Sequence, residues 1–190
     1  MLIYGELKND HANIKSLLKQ LIATDQSDSK SWQEQIAVIR DELVPHSRAE
    51  EAILYNSLRD IEGADGIAAH SYGEHAKAET LLRSLQVLEV VDINSITTAK
   101  KLLEVLTHHI EEEETKIFGA ARKLFTQDEA AVMGEAFVKM KPKVKEESFL
   151  QTSLDLVANM MPSRFRDSFR KYTTQIPGGR YESQSLSKAS

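Results

Sequence analysis

Apolar residues recur at intervals of three and four over four long stretches of the chain, the spacing of one face of an α-helix. The first stretch, about residues 3 to 23, carries Ile3, Leu7, His11, Ile14, Leu18 and Leu21 on one stripe. The second, about 30 to 59, carries Ile36, Ile39, Leu43, His46, Glu50, Ile53 and Ser57, and Pro45 predicts a bend just before His46. The third, about 67 to 90, carries Ile67, Ser71, His75, Ala78, Leu82 and Leu85. The fourth, about 95 to 125, carries Ala99, Leu102, Leu106, His109, Glu113, Ile117 and Ala120. Four such helices with short connections, one of them the two-glycine turn "DIEGADG" at Asp60 to Gly66, predict an all-α, up-down-up-down four-helix bundle.

The pattern repeats internally. "HSRAEEAILY" (His46 to Tyr55) and "HIEEEETKIF" (His109 to Phe118) both read His-x-x-x-Glu-Glu, two more residues, then an aliphatic residue and an aromatic one. "DHANIKSLLKQL" (Asp10 to Leu21) aligns in the same way with "EHAKAETLLRSL" (Glu74 to Leu85). The chain thus reads as a duplicated helical hairpin with a pseudo-two-fold axis, which brings the four repeated histidines together in mid-bundle. After about Phe125 the character changes. "TQDE" (Thr126 to Glu129) is a capping-box start for a further helix, and Pro142 and Pro162 punctuate extra amphipathic pieces. The expected organisation is a bundle over 1–125, a C-terminal helical extension over 126–176 and a small, polar, disordered tail over 177–190.

Composition narrows the function classes. Eight glycines and four prolines among 190 residues fit a helical protein. A formal charge of −5 with both signs interspersed argues against nucleic acid as the main partner. No apolar run reaches the roughly 18 residues of a membrane span. "MLIYGELKND" lacks the basic and apolar regions of a signal peptide, so a cytoplasmic location is the expectation. Without cysteine there is no thiolate ligand and no thiol nucleophile.

His11, His46, His75 and His109, with Glu50 and Glu113, all fall on core stripes. A lone histidine there is ordinarily a buried polar residue satisfied by a neighbour. Six in corresponding places are different, because a buried carboxylate is costly unless neutralised. Four neutral imidazoles cannot neutralise two glutamates, whereas metal ions can. His-x-x-x-Glu puts both side chains on one helix face. Two such pairs, with one histidine from each remaining helix, supply ligands for two ions bridged by carboxylates. Nitrogen and carboxylate ligands suit iron, manganese or zinc, and the spacing does not choose among them.

"DH" at 10–11, H-x-x-x-E-E at 46–51, "EH" at 74–75 and H-x-x-x-E-E at 109–114 resemble the hemerythrin-like, or HHE cation-binding, domain. The likeness covers about residues 1 to 125. It implies two iron ions in an oxo- or hydroxo-bridged, non-haem di-iron centre. His11, His46, His75 and His109 would be terminal ligands, and Glu50 and Glu113 bridging carboxylates. Oxygen-carrying hemerythrins have a fifth histidine four residues from the third-helix one, where this chain has Glu79. The resemblance therefore puts Glu79 forward as a seventh ligand, against the alternative of a helix-surface glutamate. Glu114 is the five-residue alternative to Glu113, and His70 a candidate fifth nitrogen ligand, although His70 and His108 lie off the stripes and read as surface residues. Tyr55 and Tyr72 read as edge packing, with a redox role as the alternative, and Glu51, Glu111 and Glu112 read as a solvated acidic face.

The family likeness implies a protein that binds or reduces a small ligand, namely O₂, peroxide or nitric oxide. An anionic Glu79 ligand would favour ferric iron, and so peroxide or radical turnover over reversible oxygen carriage. The alternative is an iron- or oxygen-sensing module without turnover. No membrane and no nucleic-acid partner is expected, and the oligomeric state is left open.

Overall fold

The computed structural model describes residues 1–59, 61, 66, 69–88, 91–144 and 160–166. Helix α1 spans Ile3–Ala23, the range its stripe predicts. Helix α2 starts at Ser29, where the Asp28 carboxylate accepts from the Ser31 amide, and runs to Glu50. It continues through a π-helical turn, Glu51–Tyr55, into Asn56–Arg59. Pro45 sits inside this run without ending it. Helix α3 spans Ala69–Gln86, shorter than the expected 67 to 90 because Val87 and Leu88 already leave the helix. Helix α4 begins at Ile93, two residues early, because Asp92 and Ser95 form a reciprocal capping box. It runs to Glu112, through a second π-helical turn Glu113–Ile117, and on to Leu124.

Helix α5, Gln127–Val144, is the predicted extra helix. Its start is the expected capping box: the Thr126 amide donates to Glu129 Oε2 at 2.9 Å and the Glu129 amide to Thr126 Oγ1 at 3.2 Å. Pro142, expected to punctuate this region, lies within α5. Helix α5 packs on α1 and α2 and contributes Met133, Phe137 and Met140 to the core. It crosses the start of α1 at Gly134, where a Cβ would run into the backbone of Met1 and Ile3. A short 3₁₀ turn, Ser163–Phe165, packs Phe165 against Phe125 with ring centroids 5.3 Å apart. The described residues thus form an all-helical bundle with an additional C-terminal helix, the fold class the stripes predict. No helix among the described residues is long and apolar enough to cross a membrane. The expected tail, 177–190, and most of the turn at 60–66 lie outside the described residues.

The apolar interior divides into two clusters. One gathers Ile3, Tyr4 and Leu7 with Ala49 to Leu58, Ile117, Phe118 and α5. The other gathers Ile14, Leu18 and Leu21 with Trp32 to Leu43, Ala78 to Leu85, and Ile96 to Leu106. Positions 11, 46, 50, 75, 109 and 113, on helices α1 to α4, form a polar layer between the two apolar clusters.

Candidate metal centre

All six stripe residues meet in that layer. His11, His46, His75 and His109 are 1%, 3%, 1% and 2% exposed, and Glu50 and Glu113 are wholly buried. Glu50 Oε2 lies 3.6 Å from His46 Nε2 and 3.7 Å from His75 Nε2. Glu113 Oε2 lies 3.3 Å from both His11 Nε2 and His109 Nε2. Each glutamate therefore faces one histidine from each half of the duplicated chain. Two ligand atoms each about 2.1 Å from one tetrahedral ion stand about 3.4 Å apart. The observed separations match that figure better than the shorter distances of good hydrogen bonds. The donor atoms fall into two groups able to hold an ion, His11–His46–Glu50 and Glu50–His75–His109–Glu113, with Glu50 common to both.

An outer set of hydrogen bonds aims the imidazoles, and it closes into a ring around the bundle. Asp10 on α1 accepts from His46 Nδ1 on α2 at 3.2 Å. Glu51 on α2 accepts from His75 Nδ1 on α3 at 2.9 Å. Glu74 on α3 accepts from His109 Nδ1 on α4 at 3.0 Å. Glu114 on α4 accepts from His11 Nδ1 on α1 at 3.1 Å. A carboxylate can only accept, so each Nδ1 carries the proton and each Nε2 faces inward, as in metal-binding histidines, with those of His75 and His109 2.9 Å apart. Each acidic doublet thus grips one imidazole of a neighbouring helix from both sides, Glu50 and Glu51 that of His75, Glu113 and Glu114 that of His11.

These contacts correct two sequence expectations. Glu51 is not on a solvated face; it is 4% exposed, bound to His75 and paired with Arg48 at 3.0 Å. Tyr55 is wholly buried, donates its hydroxyl to Glu113 Oε1, and stacks on His75 at 5.6 Å between ring centroids. The signal that could have found Asp10, Glu51, Glu74 and Glu114 is the repetition of the whole doublet, not of the histidine alone. Glu79 is also buried, but its carboxylate is held by Arg48 at 2.7 Å, with Arg83 at 3.7 Å, and it is not in either donor group. Burial of Glu79 on α3 is offset by that guanidinium rather than by the central cluster. His70 and His108 are 72% and 65% exposed, as expected of residues off the stripes.

Burial sets the electrostatics. It pushes the Glu50 carboxyl up to about 8. Burial and then the facing charge of Glu50 raise Glu113 well above the ordinary carboxylate range. Burial, reinforced by the other imidazoles, lowers His11 well below its usual value and His109 to about 2. Neutral imidazoles and costly carboxylates are the conditions under which a cation replaces protons. Both oxygens of Glu50, Oε2 of Glu113 and Nε2 of His11 have no hydrogen-bond partner among the described residues. Orphaned atoms of this kind, converging from three helices, fit a buried metal site.

Comparison with known proteins agrees with this geometry. The profile of the hemerythrin HHE cation binding domain matches residues 2–121. A curated protein named DNA nickase, from Nostoc sp. (strain PCC 7120), is 23% identical over 146 residues, which is 77% of this chain and 41% of that protein. The chain therefore spans less than half the length of that relative. No solved structure matches. With a family profile matching most of its length onto the helices that carry the four histidines, the chain belongs to the hemerythrin HHE cation-binding family.

Proposed function

We propose that the chain is a non-haem di-iron protein that binds or reduces O₂, peroxide or nitric oxide. The observation that carries this reading is that Glu50 and Glu113 each reach a histidine from both halves of the bundle. Carboxylates so placed would hold two ions, with His11 and His46 as donors to one and His75 and His109 to the other. An iron pair supplies electrons to a small oxidant or binds it directly. The protein's own part is to fix the donors and exclude water. The ring of Asp10, Glu51, Glu74 and Glu114 holds each Nε2 inward, and the two glutamates balance the cationic charge. Tyr55 fixes one oxygen of Glu113 and leaves the other to the metal side.

Exposure of no more than 3% at any of the six donors suits a diatomic molecule or peroxide and excludes a polymer from contact. For that reason the nickase name of the Nostoc relative is not carried over: a phosphodiester cannot reach such a centre without opening the bundle. A sensing role without turnover uses the same donors and differs in the event that ligand binding triggers.

The test is metal analysis of protein from iron-supplied cells, followed by anaerobic reduction and mixing with peroxide, nitric oxide or O₂. Two irons per chain and rapid reoxidation by at least one of the three are expected. One metal per chain, or zinc alone, would overturn the di-iron reading; slow reaction with all three oxidants would favour the sensor.

A further inference from the structure

Asp10 and Glu74 are counterparts under the internal repeat, each holding a histidine of the next helix, yet their outer sides are finished differently. Lys141 of α5 caps Asp10 at 2.8 Å and bonds Glu42 at 2.8 Å, so the extra helix closes that face. No lysine or arginine pairs with Glu74 among the described residues. Its Oε2 holds His109, while Oε1 faces the exposed His70, whose Nε2 is 3.4 Å away. The same His70 Nε2 lies 3.8 Å from Glu112 Oε2, and His108 Nε2 lies 3.8 Å from that oxygen too. Lys116 takes the other oxygen, Oε1, and leaves Oε2 to the imidazoles. Donor atoms of His70, Glu74 and Glu112 all lie within 4.8 Å of one another.

The separations again exceed those of good hydrogen bonds and approach the spacing of donors around one ion. Imidazole with carboxylate and no thiolate suits a divalent first-row transition cation better than calcium or magnesium. Exposure falls inward along the group: 72% at His70, 25% at Glu112, 11% at Glu74 and 2% at His109. The outer donors thus stand in solvent, and the innermost carboxylate already touches a histidine of the buried centre.

We propose that His70, Glu74 and Glu112, with His108 at the rim, form a surface site for a divalent transition cation, filled before the buried centre and feeding it beside His109. The feeding role rests on the reading of the buried cluster as a metal centre; the surface site does not. The full chain, stripped of metal, is titrated with Co²⁺ and followed by its ligand-field spectrum and by stopped-flow loading. The wild type is compared with His70→Ala/His108→Ala and with Glu50→Gln/Glu113→Gln.

The wild type should hold one exchangeable Co²⁺ beyond those in the buried centre. In the histidine variant that ion should bind at least about tenfold more weakly, and the buried centre should fill about tenfold more slowly to the same final content. Both histidines are exposed, so folding is not at stake. The glutamine variant should keep the exchangeable ion and lose the buried ones. An unchanged exchangeable ion and loading rate in the histidine variant would overturn the proposal. A surface ion with no buried Co²⁺ in the wild type would support the site and refute the reading of the buried cluster.

Discussion

Glu51 on α2 accepts the Nδ1 proton of His75 on α3 at 2.9 Å, with both side chains almost wholly buried. That bond fixes the ring plane and turns Nε2 inward, 3.7 Å from Glu50 Oε2 and 2.9 Å from His109 Nε2. Glu51→Ala should therefore lower metal affinity about 10- to 100-fold while keeping the full stoichiometry at saturation. Glu111→Ala, on the exposed face, should change neither. Competition against a chelator measures both, and equal affinities for the two variants would mean that the ring does not steer the imidazoles.

Glu50 and Glu113 differ from Glu51 in that each stands between two histidines rather than behind one. Glu50→Ala and Glu113→Ala should each reduce the metal content itself, since one substitution takes a donor from both positions. Elemental analysis after gel filtration reads this directly. Retention of the full content in both variants would leave the carboxylates as packing residues.

Helix geometry decides how much of this is legible in the sequence. The six donors sit on the apolar stripes, so the period that predicts the bundle also predicts the centre. Their acidic neighbours are harder to read. One residue on is about 100° around the helix, which in an isolated amphipathic helix points to solvent. In a bundle each helix has two neighbours, and that rotation aims Glu51 at α3 and Glu114 at α1. The two π-helical turns, Glu51–Tyr55 and Glu113–Ile117, shift the register beyond the glutamates. That shift is why Ala121 is buried where the straight stripe names Ala120. Glu79 is hard to read for another reason: it is buried one turn from His75, and Arg48, off the apolar stripe of α2, pairs with it at 2.7 Å.

That pairing makes Glu79 a test case. Glu79→Gln should leave metal content and the optical spectrum of the oxidised protein unchanged, because the side chain answers Arg48. Arg48 also pairs with Glu51, so a small loss of affinity through His75 is the largest effect expected. A displaced charge-transfer band in Glu79→Gln would return Glu79 to the ligand set.

Stripping the metal should make stability fall with rising pH. In the stripped protein Glu50 titrates at about 8, above its ordinary 4.5, and Glu113 is raised as well. A carboxyl whose folded-state value is raised favours folding fully at low pH, and that contribution is lost as pH climbs through the raised value. The histidines act oppositely: lowered from 6.5, they favour folding above that value and cease to as pH falls. Between about 6.5 and 8 only the carboxyl effect operates, so Tm of the stripped protein should drop across this window. The metal-loaded protein has both glutamates already ionised and should show no such drop. A constant gap between the two melting curves would mean that the glutamates are not buried against each other.

Lys141 ties the extra helix to the centre. Burial works against its charge, yet Asp10 and Glu42, each at 2.8 Å, hold its pKa above the ordinary lysine value. Burial likewise opposes ionisation of Asp10, but its bonds to His46 and Lys141 hold that carboxyl below its usual value. The three side chains are only 18% to 28% exposed, so these ion pairs should matter more than that of Arg164 with Glu129, whose guanidinium is 46% exposed. Lys141→Met should cost about 1 kcal/mol or somewhat more, a fall in Tm of about 2–4 °C for a chain of this size. Arg164→Met should cost roughly half as much or less through its ion pair. Lys141→Met should also leave Asp10 with its full negative charge on His46, making that imidazole the better donor and slowing release of metal from the His11–His46 position. Scanning calorimetry of the stripped variants separates the stability effect from the metal effect, and chelator-driven release from the loaded ones measures the second. If Lys141→Met destabilised no more than Arg164→Met and released metal at the wild-type rate, α5 would be a cover for the bundle and nothing more.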